Sequence, residues 1–310
     1  MVLGSSGQLG WQCLRDLPGF GFEVLGLSRD ALDVSRHNEH HWRTTLGTHL
    51  RSFDPHWVIN ALAYTAVDRA EDEPEMAMRV NGVFPQVLAQ SIRAVSTRIA
   101  LLQCSTDYVF DGFSDNPYQE SDFANPQSAY GKSKFSGEQL VLSELDRSCV
   151  LRFSWVVGEH GQNFAKTILR LSTEREHLRV VGDQRGVPSP TTFLVREFVR
   201  LMRFCEAFDA SSEWLAQRLF HVVPSGESNW HAYAQWCLKL AASDPVWVKR
   251  IKLRWEDVEM IKSAEYPTKA PRPRNSLLNC GLWRELHNLS TLPDWETVTK
   301  PVMQEICTKV

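Results

Sequence analysis

Tyr130 and Lys134 stand four residues apart in Tyr130-Gly131-Lys132-Ser133-Lys134, a spacing that places both side chains on one face of a helix. A phenol is normally a poor acid near neutrality, with a pKa of ~10. An ammonium ~4 Å away, at an effective dielectric of ~20, favours the phenolate by ~4 kcal/mol, less whatever desolvation takes back. The pattern therefore predicts a tyrosine able to protonate a carbonyl oxygen while the carbon receives a hydride. Ser105-Thr106-Asp107-Tyr108-Val109-Phe110-Asp111 follows an apolar run at 99–104, and ligand groups in open α/β sheets gather at the carboxyl ends of strands. A Thr106 hydroxyl there can bond the same oxygen. Each signal alone is weak, since any exposed helix can carry a Tyr-x-x-x-Lys and Thr106 can be a cap.

A hydride needs a donor, and the N-terminal segment offers a place for one. Gly4-Ser5-Ser6-Gly7-Gln8-Leu9-Gly10 lies directly after the short apolar Val2-Leu3 and before a helical pattern. Glycines there let the backbone turn tightly and approach a pyrophosphate, whose charge a helix N-terminus stabilises. Gly4, Gly7, Gln8, Leu9 and Gly10 are accordingly cofactor-binding candidates. At the end of the second apolar run, Ser28 and Arg29 favour the 2′-phosphate of NADPH over NADH, although Asp30 and Asp33 pull the other way.

These groups require a scaffold. Apolar runs at 2–3, 22–27, 57–60, 99–104 and 149–153 alternate with helical patterns near 8–17, 36–52, 74–95 and 128–145. Such alternation predicts an α/β fold, a Rossmann-type doubly wound parallel sheet. Beyond Phe153 the rhythm loosens: helices are expected near 162–174, 191–206, 230–242 and 295–307, with a strand at 220–223. The proline-rich 266–274 reads as an ordered loop. The expected division is a dinucleotide-binding domain over 1–154 plus 187–223 and a smaller mixed α/β substrate-binding lobe over 155–186 plus 224–310.

Composition narrows the classes. The 310 residues carry a formal net charge of -3 and are 43% hydrophobic and 23% charged, ordinary globular values that advertise neither nucleic acid nor an anionic membrane. The seven cysteines are scattered without a Cys-x-x-Cys pair, which fits reduced thiols in a cytoplasmic protein. There is no signal-like apolar segment and no run of ~18 apolar residues. His37, His40 and His41 read as a solvated helix face.

Taken in order, several blocks resemble the dTDP-4-dehydrorhamnose reductase family of extended short-chain dehydrogenases. They are Asn60-Ala61-Leu62-Ala63-Tyr64-Thr65-Ala66-Val67-Asp68, Ser105 through Gly112, the Tyr130–Lys134 motif, Arg152-Phe153-Ser154-Trp155-Val156, Asn163-Phe164-Ala165-Lys166-Thr167, Val181 through Pro188, and the 266–276 run. The resemblance implies that Gly7, Gln8 and Leu9 line the cofactor pyrophosphate, that Asp33 and Val34 sit near the adenine, and that Ala63, Tyr64 and Thr65 touch the cofactor. It implies Tyr130 as proton donor, Lys134 on the nicotinamide ribose, Thr106 as its partner at the carbonyl, and Thr106, Asp107 and Trp155 on a dTDP-sugar. Arg272 and Arg274 suit a diphosphate by their guanidinium geometry, with a solvated loop as the equal alternative. Some family members are magnesium-dependent dimers using a carboxylate just after a first-helix tryptophan. Here Gln12 follows Trp11, so neither magnesium nor a tight dimer is expected, and the chain reads as a monomer or weak homodimer.

Two other readings use the same residues. A sugar-nucleotide epimerase or 4,6-dehydratase shares the fold, but dehydration commonly uses an Asp-Glu pair after the threonine, and Tyr108 stands where the glutamate would be. An NADP-binding regulatory subunit of the methionine adenosyltransferase β type would dock on a partner enzyme, and the retained Tyr130, Lys134 and Thr106 do not exclude it.

Overall fold

The computed structural model describes residues 1–208 and 215–309. Its strands are β1 (Val2–Leu3), β2 (Gly26–Leu27), β3 (Trp57–Asn60), β4 (Ala100–Thr106), β5 (Ser148–Phe153), β6 (Val156–Val157), β7 (Leu178–Val181), β8 (Arg185–Gly186), β9 (Ser189–Pro190), β10 (Leu219–His221), β11 (Ser228–Asn229) and β12 (Val258–Ile261). Six of them form one sheet in the order β10-β5-β4-β3-β1-β2, every pair parallel. The order reverses beside β1, which is where a doubly wound sheet opens its ligand crevice.

Parallel strands buried on both faces read as near-continuous apolar runs because alternate residues feed different cores. In β3 and β4, Val58 and Leu101 point into one core with Trp42, Leu46, Leu50, Phe84, Leu88 and Ile92. Their neighbours Ile59 and Leu102 point into the other with Leu9, Cys13, Phe193 and Phe198. The first core is closed by α2 (Glu39–Phe53), α5 (Phe84–Val95) and α6 (Ala129–Glu144), the second by α1 (Gln8–Asp16) and α8 (Thr191–Phe208).

Two elements differ from the sequence pattern. The strand expected over 22–27 is only Gly26–Leu27, because its neighbour in the sheet is the two-residue β1 and the ladder ends with it. The helix expected over 74–95 is interrupted: a first piece, Pro74–Met78, passes into a π-turn at Arg79–Val83 before α5 begins. The π-turn presents buried Asn81, whose amide bonds the Tyr64 carbonyl and Ser133 hydroxyl while its oxygen accepts the Tyr64 N–H.

The remaining elements build three two-stranded pairs, β8 with β11, β7 with β12 and β6 with β9. They pack with α7 (Phe164–Glu174), α9 (Trp230–Ala241) and α11 (Trp295–Lys309) around Val157, Leu169, Tyr233, Trp247 and Met303. The loop at 266–274 is held down across the molecule: Lys269 pairs with Asp72, and Arg272 Nη2 bonds Asp68 Oδ2 at 2.6 Å. Among the described residues no helix is long and apolar enough to cross a membrane.

A buried ion pair ties the sheet to α6. Arg152 on β5 makes two bonds to Glu138, at 2.9 and 2.6 Å, with side chains 3% and 0% exposed, and Ser105 at the end of β4 donates to the same carboxylate. Breaking one partner of such a pair strands a buried charge and costs about 3–5 kcal/mol, whereas replacing both with apolar side chains costs far less. Arg152→Met should therefore lower unfolding stability by about that amount in denaturant titration, and adding Glu138→Met should recover much of it. Equal stability of the single variant and the wild type would show that the pair holds nothing.

Candidate active site

The glycine-rich segment runs from β1 into α1 as a tight turn. Gly4 sits at φ +73°, a left-handed conformation, and a Cβ on Gly10 would lie 2.2 Å from the Gly4 carbonyl oxygen. Only hydrogen at both places lets helix and loop approach this closely. Gly10 is thus a packing glycine turned away from the cleft, while Gly7, Gln8 and Leu9 line it. Asn163 donates to Gln8 Oε1 at 3.0 Å and His160 bonds the Ser6 carbonyl, so a loop from the far side of the cleft rests on this turn.

Two adjoining hollows share Gly7, Ala61, Ala63 and Thr65. The first, about 630 Å³, is lined by Gly4, Arg29, Leu32, Asp33, Val34, Tyr64 and Val80 among others. Its apolar walls suit an adenine and its loop N–H groups a pyrophosphate. Asp33 is engaged by the Ser35 N–H and hydroxyl, and this bonding holds its carboxyl below the usual range. Arg29 is exposed at this hollow, whereas Ser28 is half-buried and not among its lining residues. Tyr64 donates its hydroxyl to Glu73 at 2.8 Å.

The second hollow, about 680 Å³, brings together Thr106, Asp107, Tyr130, Lys134 and Trp155 with Phe164, Trp230 and Tyr233. Ser128 caps α6 by accepting the Gly131 N–H at 3.0 Å, which starts the helix one residue before Tyr130 and brings Lys134 one turn later. Thr106 ends β4, and its hydroxyl donates to Asp107 Oδ1 at 3.1 Å. Lys134 is buried and donates to the Cys104 carbonyl at 2.7 Å.

The electrostatics differ from the sequence expectation in one respect. Lys134 does not bring the phenol below its ordinary value. Burial dominates and pushes Tyr130 above its ordinary value, with the Thr106 hydroxyl pulling the other way. Burial also lowers the Lys134 ammonium and lifts Asp107 up to about 6, against the pull of the Ser276 and Thr106 hydroxyls. Desolvation of the buried phenol outweighs the attraction that the Tyr130–Lys134 spacing implies.

The two arginines of the proline-rich loop do not meet in the cleft. Arg272 is committed to Asp68, while Arg274 is exposed and lines neither hollow. Gln12 is buried, donating to Asp16 and accepting from Thr191. Among the described residues no three His, Cys, Asp or Glu side chains are grouped to hold a metal. Residues that the motifs did not flag are Phe164, Trp230 and Tyr233. The signal for Trp230 and Tyr233 was the aromatic density of Trp230, Tyr233 and Trp236 on an otherwise ordinary amphipathic helix.

Asp107 yields a test by linkage. Its folded pKa lies above the ordinary ~3.9 of a free aspartate, so folding favours the protonated form and that stability disappears as pH rises toward about 6. Unfolding free energies measured from pH 4 to 7 should show the wild type losing about 2–3 kcal/mol relative to Asp107→Asn. Parallel curves would mean that Asp107 titrates normally.

Comparison with known proteins identifies the family. The model of the RmlD substrate binding domain family matches residues 1–307. A dTDP-4-dehydrorhamnose reductase of Sinorhizobium fredii is 36% identical, over 96% of this chain and 94% of its own length. That of Salmonella typhimurium is 34% identical over 99% and 98%. Among solved structures, a dTDP-4-dehydrorhamnose reductase from Clostridium acetobutylicum superposes with a TM-score of 0.83 at 30% identity, covering 98% of this chain and 97% of that one. One from Bacillus anthracis, in complex with NADP, gives 0.83 at 28% identity, with 98% of each chain covered. The parallel sheet, the glycine turn and the Tyr130–Lys134 helix thus belong to a chain that is a member of the RmlD family of dTDP-4-dehydrorhamnose reductases.

Proposed function

We propose that this chain reduces dTDP-4-dehydro-β-L-rhamnose to dTDP-L-rhamnose with a nicotinamide dinucleotide, NADPH in preference to NADH. The observation that carries the reading is the meeting of Tyr130, Thr106 and Lys134 in a hollow that adjoins the glycine turn. A bound dihydronicotinamide supplies the hydride to the sugar C4. The chain's own groups do the rest. Gly7, Gln8 and Leu9 hold the diphosphate at the start of α1, and Ala63, Tyr64 and Thr65 border the hollow on the side of β3.

Tyr130 keeps its proton throughout the neutral range because burial raises its pKa. As the carbonyl carbon is reduced its oxygen becomes an alkoxide, a far stronger base than a phenolate, and the phenol proton passes to it. Thr106 at the end of β4 turns its hydroxyl proton from Asp107 to the same oxygen as charge develops there. Lys134 has three N–H donors, of which one goes to the Cys104 carbonyl; the others serve the ribose and stabilise the phenolate left after transfer. Replenishing that proton restores the resting state.

No magnesium is needed in this scheme, since the α1 N-terminus meets the diphosphate charge and Tyr130 with Thr106 polarises the oxygen. Gln12, engaged with Asp16 and Thr191, supports a monomer or weak homodimer without a metal bridge.

The decisive assay follows NADPH consumption with the dTDP-4-keto sugar. Tyr130→Phe should lower turnover by ~100-fold or more, the scale for removing a general acid, while NADPH affinity stays nearly constant. Turnover within a few-fold of wild type would remove Tyr130 from this role.

Cofactor choice has its own test. Arg29 lies exposed at the adenosine hollow, so Arg29→Ala should raise KM for NADPH by ~10-fold, the loss of one charge-assisted contact, and leave that for NADH almost unchanged. Equal responses to the two cofactors would show that Arg29 does not read the 2′-phosphate.

A further inference from the structure

Trp155 joins β5 to β6 with φ at +46°, a left-handed backbone that a residue with a large side chain adopts only when its surroundings impose it. Those surroundings are specific. The Trp155 ring stacks on Trp230 at 3.6 Å between centroids and 15° between planes. Trp230, the first residue of α9, is pinned in turn: its Nε1–H donates to Gln184 Oε1 at 3.1 Å, Gln184 donates onward to Ser263, and Phe164 packs against the indole at 4.6 Å. Gly186 leaves room for the edge of the Trp155 ring, since a Cβ there would lie 2.4 Å from its Cε2. Trp155 and Trp230 both border the hollow that contains Tyr130 and Thr106.

A strained backbone, a stacked pair and a side-chain chain that fixes the second indole together describe a shelf of set height. The apolar C–H face of a hexose rests well on such a surface, because an indole offers a large rigid area at little entropic cost. We propose that Trp230, held by Gln184, is a positioning residue for the sugar nucleotide. By backing Trp155 it sets where the hexose ring lies, and hence whether the C4 carbonyl meets the Tyr130 hydroxyl. This rests on the function proposed above and adds a specificity element to it: Trp230 acts through Trp155 on the sugar and has no part in holding the dinucleotide.

The test measures KM for the dTDP-4-keto sugar and for NADPH separately, with melting temperature alongside. Trp230→Ala should raise the sugar-nucleotide KM by ~10-fold or more, as expected when a reacting group loses its alignment, with the NADPH KM unchanged. Trp230→Phe should recover most of the loss by restoring a stacked ring. Gly186→Ala, whose Cβ displaces the Trp155 ring while Trp230 stays in place, should reproduce the same split. An unchanged sugar-nucleotide KM in Trp230→Ala, or an equal rise in both constants, overturns the proposal. If Trp230→Ala does not fold, Gln184→Leu, which removes the acceptor of the Trp230 Nε1–H and leaves the stack unpinned, decides by the same two outcomes. A wild type that binds NADPH but no dTDP-sugar sinks the functional reading and this one with it. A wild type that turns the sugar over while the variants match it sinks this one alone.

Discussion

The Glu138–Arg152 pair is the constraint on which the site's geometry hangs. It joins β5, next to the edge strand β10, to the helix that carries Tyr130 and Lys134. Glu138 lies one turn beyond Lys134 on α6, Arg152 lies one residue before the end of β5, and Ser105, which also donates to Glu138, immediately precedes Thr106. A single buried carboxylate thereby indexes helix against strand at the point where Tyr130, Lys134 and Thr106 must meet. Buried ion pairs contribute little net stability compared with apolar packing, but they tolerate only one arrangement. Arg152 also lies over the Phe110 ring, 5.0 Å from its centroid, so the segment after Thr106 is gripped by the same cation.

Around that anchor, burial acts on the titratable groups of the cleft in one direction. Burial lifts Tyr130, Asp107 and Cys104, the last up to about 12, and lowers Lys134. Every shift is toward the neutral form. In such a setting hydrogen bonds are strengthened by the weak screening around them, and a charge that appears during reduction is felt by few but well-placed donors. The large flanking cores on both sides of the sheet keep those donors from relaxing away.

Much of this was legible in the residues themselves. Runs such as Trp57–Asn60 and the glycine turn announced strand, loop and helix because their chemistry is local: an apolar doublet per pleat, a glycine where a Cβ cannot fit. The convergence of Tyr130 with Thr106 could be anticipated from strand-end logic. What was hidden depended on distant partners. Arg272 looked free for a phosphate, yet Asp68 claims it from about two hundred residues away. The phenol's acidity was misjudged because burial has no signature in a five-residue motif. The two-residue strands β6, β8, β9 and β11 are too short to show a period, and Trp230 looked like one more apolar helix position until its stack on Trp155 was seen.

The π-turn at Arg79–Val83 has a consequence for how this helix can vary in length. One extra residue in that turn changes the angular phase between the two flanking helical pieces by roughly 100° compared with a regular α-helix. Ala77 before it and Phe84, Val87 and Leu88 after it are all buried. A regular helix with the same residue count would swing one set of these outward. Deleting a single residue here would repair the hydrogen-bond ladder and keep both pieces facing the sheet, and yet be harmful, for it would draw Asn81 away from Tyr64 and Ser133. Length at this point is as tightly fixed as identity, and tolerance of insertions or deletions along the helix should be lowest where its geometry looks least regular.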